Sequence, residues 1–175
     1  IMFRQERGAI MAANGYSLLN NRKKFGVIIT QNGPGAENSM GGLAQAFADN
    51  VPILYMPAGP AIGQRSVRPN FSPARTYATV SKTSEVIYTP ELAAPAIRRA
   101  FHALRNGRPG PVIVELPADV STKEVDQSAF HYNPPKRSPQ QPSPGDIKDA
   151  VKLLLGAKKP MLWAGMGTLF GEATA

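Results

Sequence analysis

The chain of 175 residues has no cysteine. Disulfides, thiolate nucleophiles and cysteine-based zinc sites are thereby excluded, and a reducing compartment is the expected setting, with the cytoplasm as the default. Histidine occurs only at positions 102 and 131, so neither a catalytic triad nor a histidine-bearing metal site finds support. No apolar run approaches the ~20 residues needed to cross a bilayer, and no membrane partner is expected. A basic stretch followed by an apolar one, the mark of a leader, cannot be read before the first helical pattern begins. Acids are the scarcer charge, 12 against 20 Lys and Arg, which leaves a net +8 and raises nucleic acid as a partner. The distribution argues against it. Basic residues are scattered, and the tight run Arg22-Lys23-Lys24 falls at an expected helix end, where cations complement the helix dipole. With no helix-turn-helix, zinc finger or aromatic-basic RNA motif, no nucleic-acid partner is expected.

What is present is a core of globular size, with 42% hydrophobic residues. Ile10, Ala13 and Leu18 recur at roughly helical spacing through residues 4–20. Residues 25–30 (FGVIIT) form a short apolar run with β-branched side chains, which predicts a strand buried on both faces. Gln31-Asn32-Gly33-Pro34-Gly35 breaks the run. Helical spacing returns through Met40, Leu43, Ala44 and Phe47, and residues 51–56 (VPILYM) predict the next strand. A strand, loop, helix and strand in succession specify a parallel α/β sheet. Residues 57–75, rich in Pro, Arg and Gly, predict a long surface loop of the kind that carries function. Leu92, Ala96, Ile97, Ala100, Phe101 and Leu104 line one helix face, and 111–117 (PVIVELP) predicts a last buried strand. Five prolines within 134–144 predict an extended linker. Beyond it Ile147, Ala150, Val151 and Leu154 mark an amphipathic helix, followed by an expected strand at Met161–Ala164 that runs into Gly165-Met166-Gly167.

Gly33-Pro34-Gly35 stands where a parallel strand gives way to a helix, the place where open α/β sheets bind ligands and free backbone N–H groups point outward. By itself such a turn is also a common tight connection, and it is neither a Walker loop nor a G-x-G-x-x-G element. Five segments in order add context. These are Arg4-Gln5-Glu6-Arg7-Gly8-Ala9, Ala12-Ala13-Asn14-Gly15-Tyr16, Ile29 to Asn38, Gly42 to Pro52, and Gly107-Arg108-Pro109-Gly110-Pro111-Val112. Together they resemble the pyrimidine-binding domain of the thiamine diphosphate-dependent enzymes of the acetolactate synthase and pyruvate oxidase group. The resemblance covers residues 4–120 and implies a parallel sheet flanked by helices, here without its beginning. It divides the chain into an incomplete pyrimidine-binding domain at 1–122, a Pro-rich linker at 123–143, and the first βα unit of a second α/β domain at 144–175.

Several expectations follow from the resemblance. Glu6 matches the family's cofactor-activating glutamate, which hydrogen-bonds a ring nitrogen of the cofactor's aminopyrimidine. A carboxyl group that shares a proton there favours the tautomer whose exocyclic nitrogen can deprotonate the thiazolium carbon. Pro34 and Asn38 match residues that flank the pyrimidine ring, and Gly33 and Gly35 let the backbone approach it. Thiamine diphosphate is the expected cofactor, a small 2-oxo acid the expected substrate, and a homodimer or tetramer the expected assembly. Magnesium is expected to be held by sequence outside this chain, because the family's Gly-Asp-Gly element has no counterpart in Gly145-Asp146-Ile147. FAD is allowed for by Gly165-Met166-Gly167, a weak motif taken alone. Two departures stand out: Gln5 replaces the histidine that many relatives carry before the glutamate, and Ser72 follows Phe71 where acetolactate synthases have a glutamine. Glyoxylate carboligases fit the pattern but lack the glutamate, so Glu6 speaks against them. The rival classes are a non-catalytic α/β binding or oligomerisation module, which Glu6 also disfavours, and a dinucleotide oxidoreductase built on Gly165-Met166-Gly167.

Overall fold

The computed structural model describes residues 1–138 and 141–173. It comprises two compact units, Ile1–Arg137 and Ser138–Ala175. In the first unit the order is α1 (Glu6–Leu19), β1 (Gly26–Thr30), α2 (Pro34–Asn38), α3 (Met40–Ala48), β2 (Ile53–Gly59), α4 (Pro73–Tyr77), β3 (Thr83–Val86), α5 (Ala93–Arg105), β4 (Val112–Pro117) and α6 (Ala118–Ser121). The second unit holds α7 (Pro144–Gly156) and α8 (Gly167–Phe170).

The four strands form one sheet in the order β1-β2-β4-β3, every neighbouring pair parallel. The parallel α/β sheet flanked by helices expected from the sequence is therefore present. Register decides which side chains face which layer. Ile28, Tyr55 and Ile113 align across the sheet, as do Val27, Leu54 and Val112. The first row faces α1, α3 and α4, where Ile10, Leu43, Ala46 and Tyr77 are buried on it. The second row faces α5, which buries Ala96, Ala100 and Leu104 against Leu54, Val112 and Val114.

β1 departs from expectation. Ile28 is buried, but Val27 is 54% and Ile29 74% exposed, so the strand is covered on one face only. It lies at the sheet edge, and α5 packs chiefly on β2, β3 and β4, touching Phe25 just ahead of β1 through Phe101. The loop expected at 57–75 is shorter at both ends, because β2 continues to Gly59 and α4 begins at Pro73. β3 was not foreseen. Its four residues carry little apolar pattern and owe their conformation to the ladder with β4.

Helix ends follow local chemistry. Asn21 and Arg22 adopt left-handed backbone (φ 48° and 58°), and the Arg22 amide closes on Ser17 O at 2.7 Å, a wrap that satisfies orphan carbonyls at the end of α1. The Arg22 guanidinium then donates to Asn50 O and Asp49 O, so the residue expected as a surface charge pins the end of α1 to the end of α3. α5 starts at Ala93 after a tight turn at Pro90–Leu92, and Pro95 falls in its first turn, where the missing N–H has no helical partner to lose.

In the second unit, Ser143 Oγ caps α7 by accepting the Asp146 amide at 3.1 Å. Met161–Ala164, expected as a strand, has no regular secondary structure. A strand is defined by its ladder, and the described residues of this unit offer no neighbour for one. None of its described residues is buried.

Candidate functional site

Glu6 is the first residue of α1, where an acid complements the helix dipole. It is half-buried at the edge of a groove of about 780 Å³ lined by Phe3, Ala9, Ala13, Tyr16, Val27, Ile29 and Thr30. Its lining mixes apolar side chains with Gln5, Tyr16 and Thr30. From the end of α2, Asn38 Nδ2 donates to Glu6 Oε2 at 3.4 Å. Gly35 approaches the same carboxylate, since a Cβ placed there would lie 3.3 Å from Glu6 Oε1 and would overlap the Gln31 side chain.

The turn after β1 makes this approach possible. Gly33 has φ +67° and ψ −120°, a conformation that only glycine adopts freely. Its amide donates to Asn32 Oδ1 at 2.7 Å, and its carbonyl accepts the Glu37 amide at 2.9 Å. Pro34, with φ preset by its ring, then opens α2. Of the residues singled out from sequence, Glu6, Gly35 and Asn38 come together, and Gly33 and Pro34 shape the turn that delivers the last two.

A buried hydroxyl cluster lies beneath the turn. Tyr77 OH donates to Ala36 O, Ser39 Oγ donates to Gly35 O at 3.0 Å, and Thr30 Oγ1 pairs with Tyr55 OH at 2.7 Å. Tyr55 and Tyr77 meet edge to face, with centroids 5.5 Å apart. Burial pushes the hydroxyls of both tyrosines above their ordinary ionisation range, so they remain neutral hydrogen-bonding groups.

Phe71 packs edge-on against Tyr77 at 6.1 Å. Ser72 precedes α4, with its Oγ 3.4 Å from Arg65 NH2. Arg65 in turn pairs with Glu115, a fully buried carboxylate on β4 that also accepts the Ala74 amide at 2.7 Å. Neither Tyr77 nor Glu115 was singled out from sequence. Glu115 had one signal, a lone acid within the apolar run 111–117; Tyr77 had none. Lys82 Nζ donates to Ala103 O in the last turn of α5 and to Asn106 O just past it, and burial lowers its pKa. His102 and His131 are exposed. Among the described residues no group of three or more His, Cys, Asp or Glu could hold a metal ion, and no helix is long and apolar enough to cross a membrane.

Residues 1–76 match the family model for thiamine pyrophosphate enzymes, N-terminal TPP binding domain. The chain is 34% identical to the acetolactate synthase large subunit of Corynebacterium glutamicum over 187 residues, an alignment that takes in 99% of this chain and 28% of that protein. It is 32% identical to an acetolactate synthase of Arthrospira platensis, covering 99% of this chain and 31% of the relative. It is likewise 32% identical to a glyoxylate carboligase of Escherichia coli O157:H7, covering 100% and 30%. Residues 1–76 thus carry sequence similar to the N-terminal cofactor-binding domain of thiamine pyrophosphate-dependent enzymes. Along nearly its whole length the chain is similar to acetolactate synthases and to a glyoxylate carboligase alike, and it spans about 30% of the length of the curated relatives it matches.

Proposed function

We propose that this chain forms the pyrimidine-binding side of the active site in a longer thiamine diphosphate-dependent enzyme that decarboxylates a 2-oxo acid and joins the resulting fragment to an acceptor. The observation that carries the reading is the convergence of Asn38 and the Gly35 backbone on the Glu6 carboxylate, which itself borders a groove. A carboxylate flanked by an amide and bordering a partly apolar groove fits an aminopyrimidine, which offers one face to stack and one edge to hydrogen-bond. When bound, thiamine diphosphate supplies the electron sink for carbanion chemistry. Glu6 holds and exchanges a proton at the ring nitrogen, Asn38 orients the Glu6 carboxylate, and Gly35 admits the ring edge without a side chain in the way. The half-buried position of Glu6 limits the access of water to that proton.

The residues of this chain do not fit magnesium, given that no ligand cluster exists among those described. Nor do they fit FAD, for the Gly165-Met166-Gly167 turn is followed by a helix of only four residues in a unit with no buried described residue. Magnesium and the diphosphate are assigned to sequence beyond this chain, and no step is assigned to a flavin. Assembly as a dimer, with the second half of each site supplied by the partner subunit, belongs to the same proposal. Retention of Glu6 favours acetolactate synthase-like over glyoxylate carboligase-like chemistry.

The test is Glu6→Gln in the full-length protein. An amide still hydrogen-bonds but cannot exchange the proton, so hydrogen–deuterium exchange at the cofactor's thiazolium carbon is expected to slow by about 10²-fold or more, with cofactor still bound. An unchanged exchange rate removes Glu6 from the catalytic role.

A further inference from the structure

We propose that Tyr77 is a positioning residue for the cofactor-facing turn, and that Glu115 is the remote anchor that holds it in place. The proposal rests on the reading of Glu6 and the Gly33–Asn38 turn as the pyrimidine site.

The contacts form one continuous path. Glu115 lies on β4 with its side chain completely buried, on the sheet face that packs against α4. Its carboxylate accepts the amide of Ala74, which fixes the first turn of α4, and pairs with Arg65, which reaches Ser72 just before that helix. The site is built around this carboxylate, since a Cβ at Gly59 on the neighbouring strand would overlap it. α4 is only five residues long, so anchoring its start also places its end. At that end Tyr77, fully buried and set edge to face against Tyr55 and Phe71, donates its hydroxyl to Ala36 O. Ala36 lies between Gly35, which borders the Glu6 carboxylate, and Asn38, which donates to it.

Why the turn needs such a hold follows from its own chemistry. α2 also has five residues, too few to be stable alone, and it follows Gly33, a glycine in a conformation that the backbone gains nothing by keeping. Ser39 secures the Gly35 carbonyl from within the segment. The Tyr77 hydroxyl ties the backbone of the segment to a different part of the chain, 41 positions away. Tyr77 touches neither Glu6 nor any reacting atom in this arrangement; it acts through the backbone of residues 35–38.

The experiment compares wild type, Tyr77→Phe, Glu115→Gln and the double variant in the full-length protein with magnesium. It reads thiamine diphosphate affinity by titration calorimetry, deuterium exchange at the thiazolium carbon with cofactor saturating, and amide exchange of residues 33–39. Tyr77→Phe removes one oxygen and is expected to weaken cofactor affinity about tenfold and to speed amide exchange in 33–39. Thiazolium exchange at saturation should stay within about threefold, because Glu6 is untouched; a general loss of structure would lower both. Glu115→Gln should give the same split from a position outside the site, and the double variant should be no worse than the more affected single. Affinity within twofold of wild type in a folded Tyr77→Phe overturns the proposal, as do additive losses in the double variant. Should Glu115→Gln fail to fold, Arg65→Lys keeps the charge but loses the two-pronged geometry, and must show the same split in weaker form. If wild type itself shows no cofactor binding, the reading of the site fails; amide exchange in 33–39 then tests the structural link alone, which an unchanged rate in Tyr77→Phe refutes.

Discussion

Arg65→Ala should be among the most destabilising changes outside the apolar core. The substitution leaves the Glu115 carboxylate, 0% exposed, without the cation that pairs with it, and the pair is well shielded because the Arg65 side chain is only 14% exposed. Breaking a buried ion pair from one side costs about 3–5 kcal/mol, most of it the penalty of an uncompensated charge in a poorly polarisable site. The guanidinium also stands 5.9 Å from the Tyr88 ring, near the outer limit of a cation–π contact and worth about 0.5 kcal/mol. The Ala74 amide remains as a donor to Glu115 and offsets part of the loss. A destabilisation of about 3–4 kcal/mol is expected, read by urea unfolding of this chain followed by far-UV circular dichroism. High salt separates this from a surface effect: at about 1 M the screening length is about 3 Å, yet a buried pair keeps its contribution. Adding Glu115→Gln to Arg65→Ala should recover stability relative to Arg65→Ala alone, since the orphan charge is then gone. A loss below about 1 kcal/mol, or strictly additive effects in the double variant, would refute a buried, coupled pair.

Gly42→Ala should cost about 1–3 kcal/mol in the same assay, as the new Cβ would stand 2.6 Å from Ile10 Cγ2 and force α1 and α3 apart. Gly33→Ala meets no neighbour within 4 Å, so its expected cost of about 1–3 kcal/mol is purely the strain of φ +67°. An affinity for thiamine diphosphate that fell while Glu6 stayed intact would tie that strain to the site. In alkaline titration followed at 295 nm, the buried hydroxyls of Tyr55 and Tyr77 should ionise only together with unfolding. Their folded-state pKa values lie above the usual 10.0, so the stability they contribute is complete below that pH and is lost as pH rises beyond it. Tyr77→Phe should remove one of these late steps. Finally, calorimetric titration of the 175-residue chain with thiamine diphosphate and magnesium should show weak binding or none, because no metal-ligand cluster occurs among its described residues; micromolar affinity would contradict the division of the site between this chain and other sequence.

The strands that sequence reasoning found and the one it missed differ in what stabilises them. Residues 26–30, 53–59 and 112–117 are rich in Val, Ile and Leu, and a dense apolar run in a parallel sheet is visible without any partner. Thr83–Val86 is short and at an edge, and becomes a strand because β4 lends it a ladder. Met161–Ala164 shows the converse, an apolar run with no ladder to join. Val27 and Ile29 satisfied the pattern of a strand buried on both sides, yet whether a helix reaches them depends on where α5 ends up across the sheet.

The candidate site divides in the same way. Gly33, Pro34 and Gly35 are legible in sequence because backbone conformation is a local property: a left-handed position calls for glycine and a helix start accepts proline wherever they occur. Glu6 at the first turn of a helix is legible too, as to its place though not its neighbours. That Asn38 faces Glu6 across 32 positions, that Tyr77 holds Ala36, and that a carboxylate on the central sheet anchors the helix carrying Tyr77 were decided by tertiary structure alone. Hydrogen bonds and buried ion pairs act over about 3 Å. A linear sequence records which groups could make them, but only the packing of α1, α2 and α4 on one face of the sheet brings the groups within that range.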